Sequence, residues 1–136
     1  MNVLVDTPVW SLALRRKSAD LSADEHALMQ AFTELIREGR VEILGIVRQE
    51  ILSGIRDEER SHRIRESLRA FEDAVPETAD YEEAARMHNL CQTHGVAGSA
   101  IDLLICAVAH RRNWQIFTVD RDFERYSRVL GVELYK

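Results

Sequence analysis

The chain is poor in the residues that mark specialised scaffolds. It has two cysteines and two prolines in 136 residues, and only two of its 18 basic residues are lysine; the rest are arginine. Cys91 and Cys106 both fall in helical patterns, which excludes a disulfide framework and reads as reduced core thiols. No apolar run is long enough to span a bilayer. The opening Met1-Asn-Val-Leu-Val-Asp6 has neither the basic region nor the apolar core of a signal peptide, so a cytoplasmic protein without membrane association is expected. Linkers, repeats and low-complexity stretches are missing, as are Walker and G-x-S-x-G motifs. A basic excess is missing too: the net charge of −5 counts against a wholly electrostatic nucleic-acid binder. An acidic cluster offset by bound metal would soften that objection. What remains is an ordinary globular composition, 46% apolar and 30% charged, and a length that fits one domain over residues 1–136.

Residues 2–5 form a short apolar run ending at Asp6, and Thr7-Pro8 suits a first helical turn, so the segment reads strand, junction, helix. Ser22 and Glu25 make a capping box for a helix with its seam at Leu28, Phe32, Leu35 and Ile36, stopped by Gly39. Val41 to Leu44 reads as a strand leading into a helix with apolar spacing at Val47, Ile51 and Ile55. A charged helix is expected from Asp57 to Phe71, broken by Val75-Pro76. Thr78 is expected to cap the next helix, which ends near Gly95. Ala100 to His110 is a strongly apolar helix, 115–119 a strand ending at Asp120, and 132–135 a further strand. Strands separated by helices imply crossovers, hence an α/β fold: a mostly parallel central sheet with helices on both faces. Ligands of such sheets bind beyond the carboxyl ends of the strands.

Acidic residues gather where that rule points. Asp6 and Asp120 follow strands, Asp102 opens the apolar helix, and Glu50 is set apart from the Val47–Ile51 seam so that it can face the same edge. Crowded carboxylates resist joint ionisation unless a cation neutralises them. All-oxygen ligands select Mg²⁺ or Mn²⁺ over zinc, and such ions suit phosphodiester hydrolysis. Each acid also has a plain structural reading. Asp6 can cap a helix, Asp102 completes Ser-x-x-Asp, Asp120 and Asp122 suit a helix N-terminus, and Glu50 is one of 14 glutamates.

A resemblance bears on that choice. Val3-Leu-Val-Asp6-Thr-Pro-Val-Trp10 resembles the opening of PIN domains. Ile101-Asp102-Leu-Leu-Ile-Cys-Ala-Val-Ala109 looks like the family's third acidic motif, and Ile116-Phe-Thr118-Val-Asp120-Arg-Asp122-Phe123 is similar to its fourth. Glu50 lies where the family's glutamate belongs. The resemblance runs from Asn2 to about Glu133. It implies a metal-dependent endoribonuclease of the VapC toxin type, a homodimer paired with a small VapB-type antitoxin. Carried over, Asp6, Glu50, Asp102 and Asp120 become the catalytic and Mg²⁺- or Mn²⁺-binding acids. Thr7 and Thr118 become their polar supports, and Asp122 is either a further member or a cap. The alternative is a PIN-like module that binds RNA or protein without catalysis.

Other features have two readings each. Arg56, Arg60 and Arg63 share a helical face, with Arg65 and Arg69 on another. They form a phosphate track or a solvated face laced with Glu59–Arg63 and Arg69–Asp73 pairs. Arg15-Arg-Lys17 either receives RNA or ends a helix favourably. His88, Cys91 and His94 are offset around their helix and lack a fourth ligand, which argues against zinc. Trp10 and Leu14 read as core, or as a seat for a partner helix. A phosphoacceptor receiver would need paired acids after the first strand and a lysine near the last, and a dehalogenase-like phosphatase would need Asp-x-Asp at Asp6.

Overall fold

The computed structural model describes residues 1–15 and 18–136. The expected basic cluster Arg15-Arg-Lys17 falls largely outside them. The chain runs β1 (Val3–Val5), α1 (Thr7–Arg15), a 3-10 turn (Ser18–Asp20), α2 (Ala23–Arg37), β2 (Val41–Leu44), α3 (Gly45–Leu52) and α4 (Glu58–Leu68). It continues through β3 (Asp73–Ala74), α5 (Thr78–Thr93), α6 (Ala100–Arg112), β4 (Gln115–Phe117) and α7 (Asp122–Leu130). The sheet is parallel, in the order β3-β2-β1-β4.

That order fixes where the site must be. From β1 the chain steps outward to β2 and β3, then crosses back to add β4 on the other side of β1. Right-handed crossovers in opposite directions put their helices on opposite faces. Accordingly α1 packs with α2 and α3, and α3 with α4, whereas α5 packs with α6 and α7, and α6 lies on β1 and β4. The direction of winding reverses between β1 and β4, and the carboxyl ends of that pair flank the crevice where α/β sheets bind ligands.

The two central strands are largely apolar, as expected for a sheet buried on both faces: Val3, Leu4, Val5, Ile43 and Leu44 are fully buried, as is Ile116 of β4, while Glu42, Asp73 and Gln115 lie toward the strand starts. Helix α6 buries Leu103, Ile105, Cys106, Ala107, Val108 and Ala109 around its circumference. A helix apolar on all sides belongs inside, and α6 is sandwiched between the sheet and α5. Trp10 is buried rather than offered to a partner, edge-on to Phe32 and Phe71 at 5.1 and 5.0 Å. Its indole N–H donates to the Val5 carbonyl at 3.1 Å, which pins the end of β1 immediately before Asp6.

The Ser22–Glu25 capping box forms as expected. Several boundaries differ from the sequence reading. The ladder between β1 and β4 ends at Phe117, whose carbonyl accepts the Asp6 N–H at 2.9 Å. After that rung β1 has turned into α1, so residues 118 and 119 have no strand to pair with. The strand expected over 132–135 is reduced to a single parallel bridge between Ile116 and Leu134. Only Ile116 presents its outward N–H and C=O there, to Glu133 and Tyr135.

The helix expected from Asp57 to Phe71 runs from Glu58 to Leu68, with Asp57 as its cap. Arg56 therefore precedes it and shares no helical face with Arg60 and Arg63. Beyond it β3 pairs with Ile43 and Leu44, a strand too short to leave a periodicity. Helix α5 is capped by Glu77, not Thr78: the Glu77 N–H donates to Asp80 Oδ2 at 2.7 Å.

Asp80 is completely buried, and Arg111 and Arg112 from the end of α6 reach it at 2.7 and 3.2 Å. Burial opposes its charge, but the Glu77 N–H and the two guanidiniums outweigh it and hold the carboxyl below its ordinary value. This clamp ties the start of α5 to the end of α6, leaving the opposite end of α6 to present Asp102.

Candidate active site

Three junctions converge at the carboxyl ends of β1 and β4. The first is the turn from β1 into α1. Asp6 is 5% exposed; its Oδ1 accepts the Thr7 N–H at 2.8 Å and its Oδ2 the Thr118 hydroxyl at 2.9 Å. Despite both donors, burial and the nearby Asp102 and Asp120 carboxylates push its carboxyl up to about 6. A carboxyl disfavoured as an anion, though well supplied with donors, marks a site short of positive charge.

The second junction follows β4. Thr118 donates to Asp6 and accepts the Asp120 N–H at 3.0 Å, and Asp120 Oδ1 in turn accepts the Asp122 N–H at 2.9 Å. One hydroxyl thus couples the ends of two strands. Asp120 sits on the loop past the strand rather than at its last residue, and Asp122 opens α7.

The third junction is the start of α6. Ser99 caps it by accepting the Asp102 N–H at 3.1 Å. The Asp102 carboxylate is used elsewhere: its Oδ2 accepts the Tyr126 hydroxyl at 2.9 Å. Burial raises the Asp102 carboxyl above its ordinary value, with Asp120 and Asp122 adding to the shift.

Asp102, Asp120 and Asp122 each turn a carboxylate oxygen into one space, all within 4.8 Å of one another. Among the described residues no other group of His, Cys, Asp or Glu gathers this way. His88, Cys91 and His94 do not converge: Cys91 is buried, while His94 is exposed and turns Nδ1 to the Leu90 carbonyl. Glu50 stands at the rim. It is exposed while Val47 and Ile51 beside it are buried, and its Oε1 accepts the Thr7 hydroxyl at 2.8 Å. Thr7 therefore joins Glu50 to Asp6, donating to one from its hydroxyl and to the other from its backbone N–H.

Of the four acids expected from sequence to hold metal, Asp102 and Asp120 gather with Asp122, whereas Asp6 and Glu50 lie outside that group and are tied to the edge through Thr118 and Thr7. Tyr126 was not singled out from sequence. Its spacing from Asp122, one helical turn, is the signal that places both on one face of α7. A neighbouring cleft is lined by Pro8, Ser11, Leu12, Glu25, Leu28, Arg60 and Val119, so one arginine of the charged helix lines a cleft that reaches the site's edge at Pro8 and Val119. The expected Arg69–Asp73 pair is replaced: Arg69 reaches Glu66, and Asp73 is held by Arg48.

The donor set is hard oxygen only, crowded and under-neutralised, which fits a Mg²⁺- or Mn²⁺-sized cation and not a thiolate- or imidazole-seeking one. Fold and site together define an α/β sandwich with an acidic crevice at its topological switch point.

Comparison with known proteins agrees with that class. A family model described as PIN domain matches residues 3–129, and the chain belongs to that family. Among solved structures, a chain of FitAcB from Neisseria gonorrhoeae is similar over 98% of this chain and 96% of its own, at 20% identity and a TM-score of 0.78. VapBC2 from Rickettsia felis, solved bound to a DNA fragment from its promoter, matches over 99% and 98% at 15% identity and a TM-score of 0.76. A toxin–antitoxin complex from Klebsiella pneumoniae matches over 96% and 95% at 18% identity and a TM-score of 0.67. At these identities the likeness is one of fold. No curated protein sequence matches significantly.

Proposed function

We propose that the chain is a divalent-metal-dependent endoribonuclease, the toxin of a VapBC-type toxin–antitoxin pair acting in the cytoplasm. The observation that carries the reading is the gathering of Asp102, Asp120 and Asp122 within 4.8 Å beside the buried Asp6, whose carboxyl is pushed up to about 6. Family membership and the shared fold support it. Asp102, Asp120 and Asp122 would hold Mg²⁺ or Mn²⁺, with Asp6 next to them and Glu50 at the rim. When bound, such a cation supplies Lewis acidity for in-line phosphodiester hydrolysis.

The protein's own groups do the positioning. The Thr7 N–H and the Thr118 hydroxyl hold Asp6 from two sides, and the Thr7 hydroxyl holds Glu50. Thr118 also fixes the loop that carries Asp120. These donors are in place before substrate arrives, so little reorganisation remains for the reaction.

The partners follow from the same reading. The substrate is RNA, and a small antitoxin is the cognate protein. A second copy of the chain is expected against the apolar cleft of about 450 Å³ between α5 and α6, where Tyr81, Ala84, Ile101 and Leu104 are found. Incubating purified protein with total RNA tests the enzymatic claim. Cleavage should require Mg²⁺ or Mn²⁺ and stop with EDTA. Binding of RNA without cleavage would favour the non-catalytic PIN-like module instead.

A further inference from the structure

Tyr126 is 1% exposed, and its ring stands edge-on to Phe123 at 5.1 Å. Packing alone would be met by phenylalanine, which brings no polar atom inside. The buried hydroxyl must find an acceptor, and the one it finds is Asp102 Oδ2 at 2.9 Å. Helix α7 therefore acts at the site twice. Its first turn carries Asp122, and one turn later on the same face Tyr126 reaches across to α6. Asp102 sits between two other carboxylates that repel it, and its side chain can relieve that repulsion by rotating away. The phenol prevents the rotation, since the ring is locked by packing and the hydroxyl has one partner. It also engages Asp102 Oδ2, which would leave the other oxygen to be offered to a cation.

We propose that Tyr126 is a positioning residue that holds Asp102 as a one-oxygen ligand, keeping the Asp102–Asp120–Asp122 set arranged for a divalent cation. This rests on the reading of the acidic edge as a cation site. Partners that orient metal ligands typically matter to affinity by 10- to 100-fold, so loss of the phenol should weaken binding by about 10-fold.

The test is Mn²⁺ binding, by calorimetry and by the electron paramagnetic resonance of free Mn²⁺, for wild type, Tyr126→Phe and Ser127→Ala. Ser127 is on the same helix and donates to the Val132 carbonyl at 2.7 Å, so its variant loosens α7 without touching an acid. The expected result is weakened Mn²⁺ affinity in Tyr126→Phe alone, with its RNA cleavage recovering as Mn²⁺ is raised to saturation. Wild-type affinity in Tyr126→Phe would overturn the proposal, and so would equal losses in both variants, because helix stability would then be the cause. A wild type that takes up no Mn²⁺ would overturn the cation reading, and the proposal with it.

Discussion

Asp6 shows how a single carboxylate is made to wait for a partner. Its neighbours supply two hydrogen bonds, yet burial dominates and its carboxyl is pushed up to about 6 from 3.8. The native protein therefore binds this proton more tightly than the unfolded chain. The contribution to stability is fully present below about pH 4 and is lost as pH rises through about 6; by neutral pH the difference is worth about 3 kcal/mol. Asp6→Asn keeps the shape and an oxygen for the Thr7 N–H. The metal-free variant should be more stable than wild type at pH 8, by about 2 to 3 kcal/mol, with the gain shrinking toward pH 4. Urea unfolding at both pH values measures it. A gain that does not change with pH would mean that Asp6 is not a strained charge.

The candidate aspartates were legible at this scale because each lies at a junction that chain pattern reveals: a strand end before Thr-Pro, a cap before an apolar helix, a Thr-x-Asp-x-Asp after a strand. Glu50, inside α3, has no such mark and was placed by the family resemblance. Tyr126 was not legible. In the pattern Phe123-Glu-Arg-Tyr126 it reads as amphipathic core, and only the packing of α7 against α6 shows where its hydroxyl goes. Asp102 meets only half of its capping reading: Ser99 accepts its backbone N–H, while its carboxylate turns to Tyr126 rather than back to the cap.

At the scale of elements, long periodic helices were readable and short strands were not. Two-residue β3 has no alternation to detect, and its Asp73 is satisfied by Arg48 at 2.8 Å, a contact between segments far apart in sequence. The same holds for the clamp of Asp80 with Arg111 and Arg112. Asp80 looks like an exposed first-turn acid, yet it is fully buried and takes two guanidiniums and a backbone N–H. Asp80→Ala should cost about 2 to 4 kcal/mol, because it strands donors around a closed site. It should leave Mn²⁺ affinity unchanged, since the clamp lies at the end of α6 away from Asp102. Thermal melts beside metal titrations check both halves, and a large loss of Mn²⁺ affinity in a folded variant would show that the two ends of α6 are coupled.

For the whole molecule, strand order alone carries the functional logic. Adding β4 on the far side of β1 creates the switch point, and the chain places its acids around that crevice. The net charge of −5 then looks less like an argument against RNA, because several of those charges are concentrated where a cation would offset them. The arginine face offered as one reading of the sequence is incomplete, since Arg56 precedes the helix, and Arg60 lines a cleft shared with Pro8 and Val119. On the proposed toxin reading, the protein should behave as an assembly. Light scattering on material purified from its native host should show a dimer carrying a small bound protein, and a strict monomer with no companion would count heavily against that part of the account.

The central claim is that the crevice holds a divalent cation through its aspartates, and calorimetric titration of Mn²⁺ into wild type and Asp120→Asn at pH 7.5 tests it most directly. The account predicts saturable binding to the wild type. In Asp120→Asn it predicts affinity at least about 10-fold lower, with metal-free stability unchanged or raised by about 1 kcal/mol through relief of repulsion. Equal affinity in the two proteins, or a variant that binds normally but is about 1 kcal/mol less stable, as loss of a helix cap would produce, would contradict it.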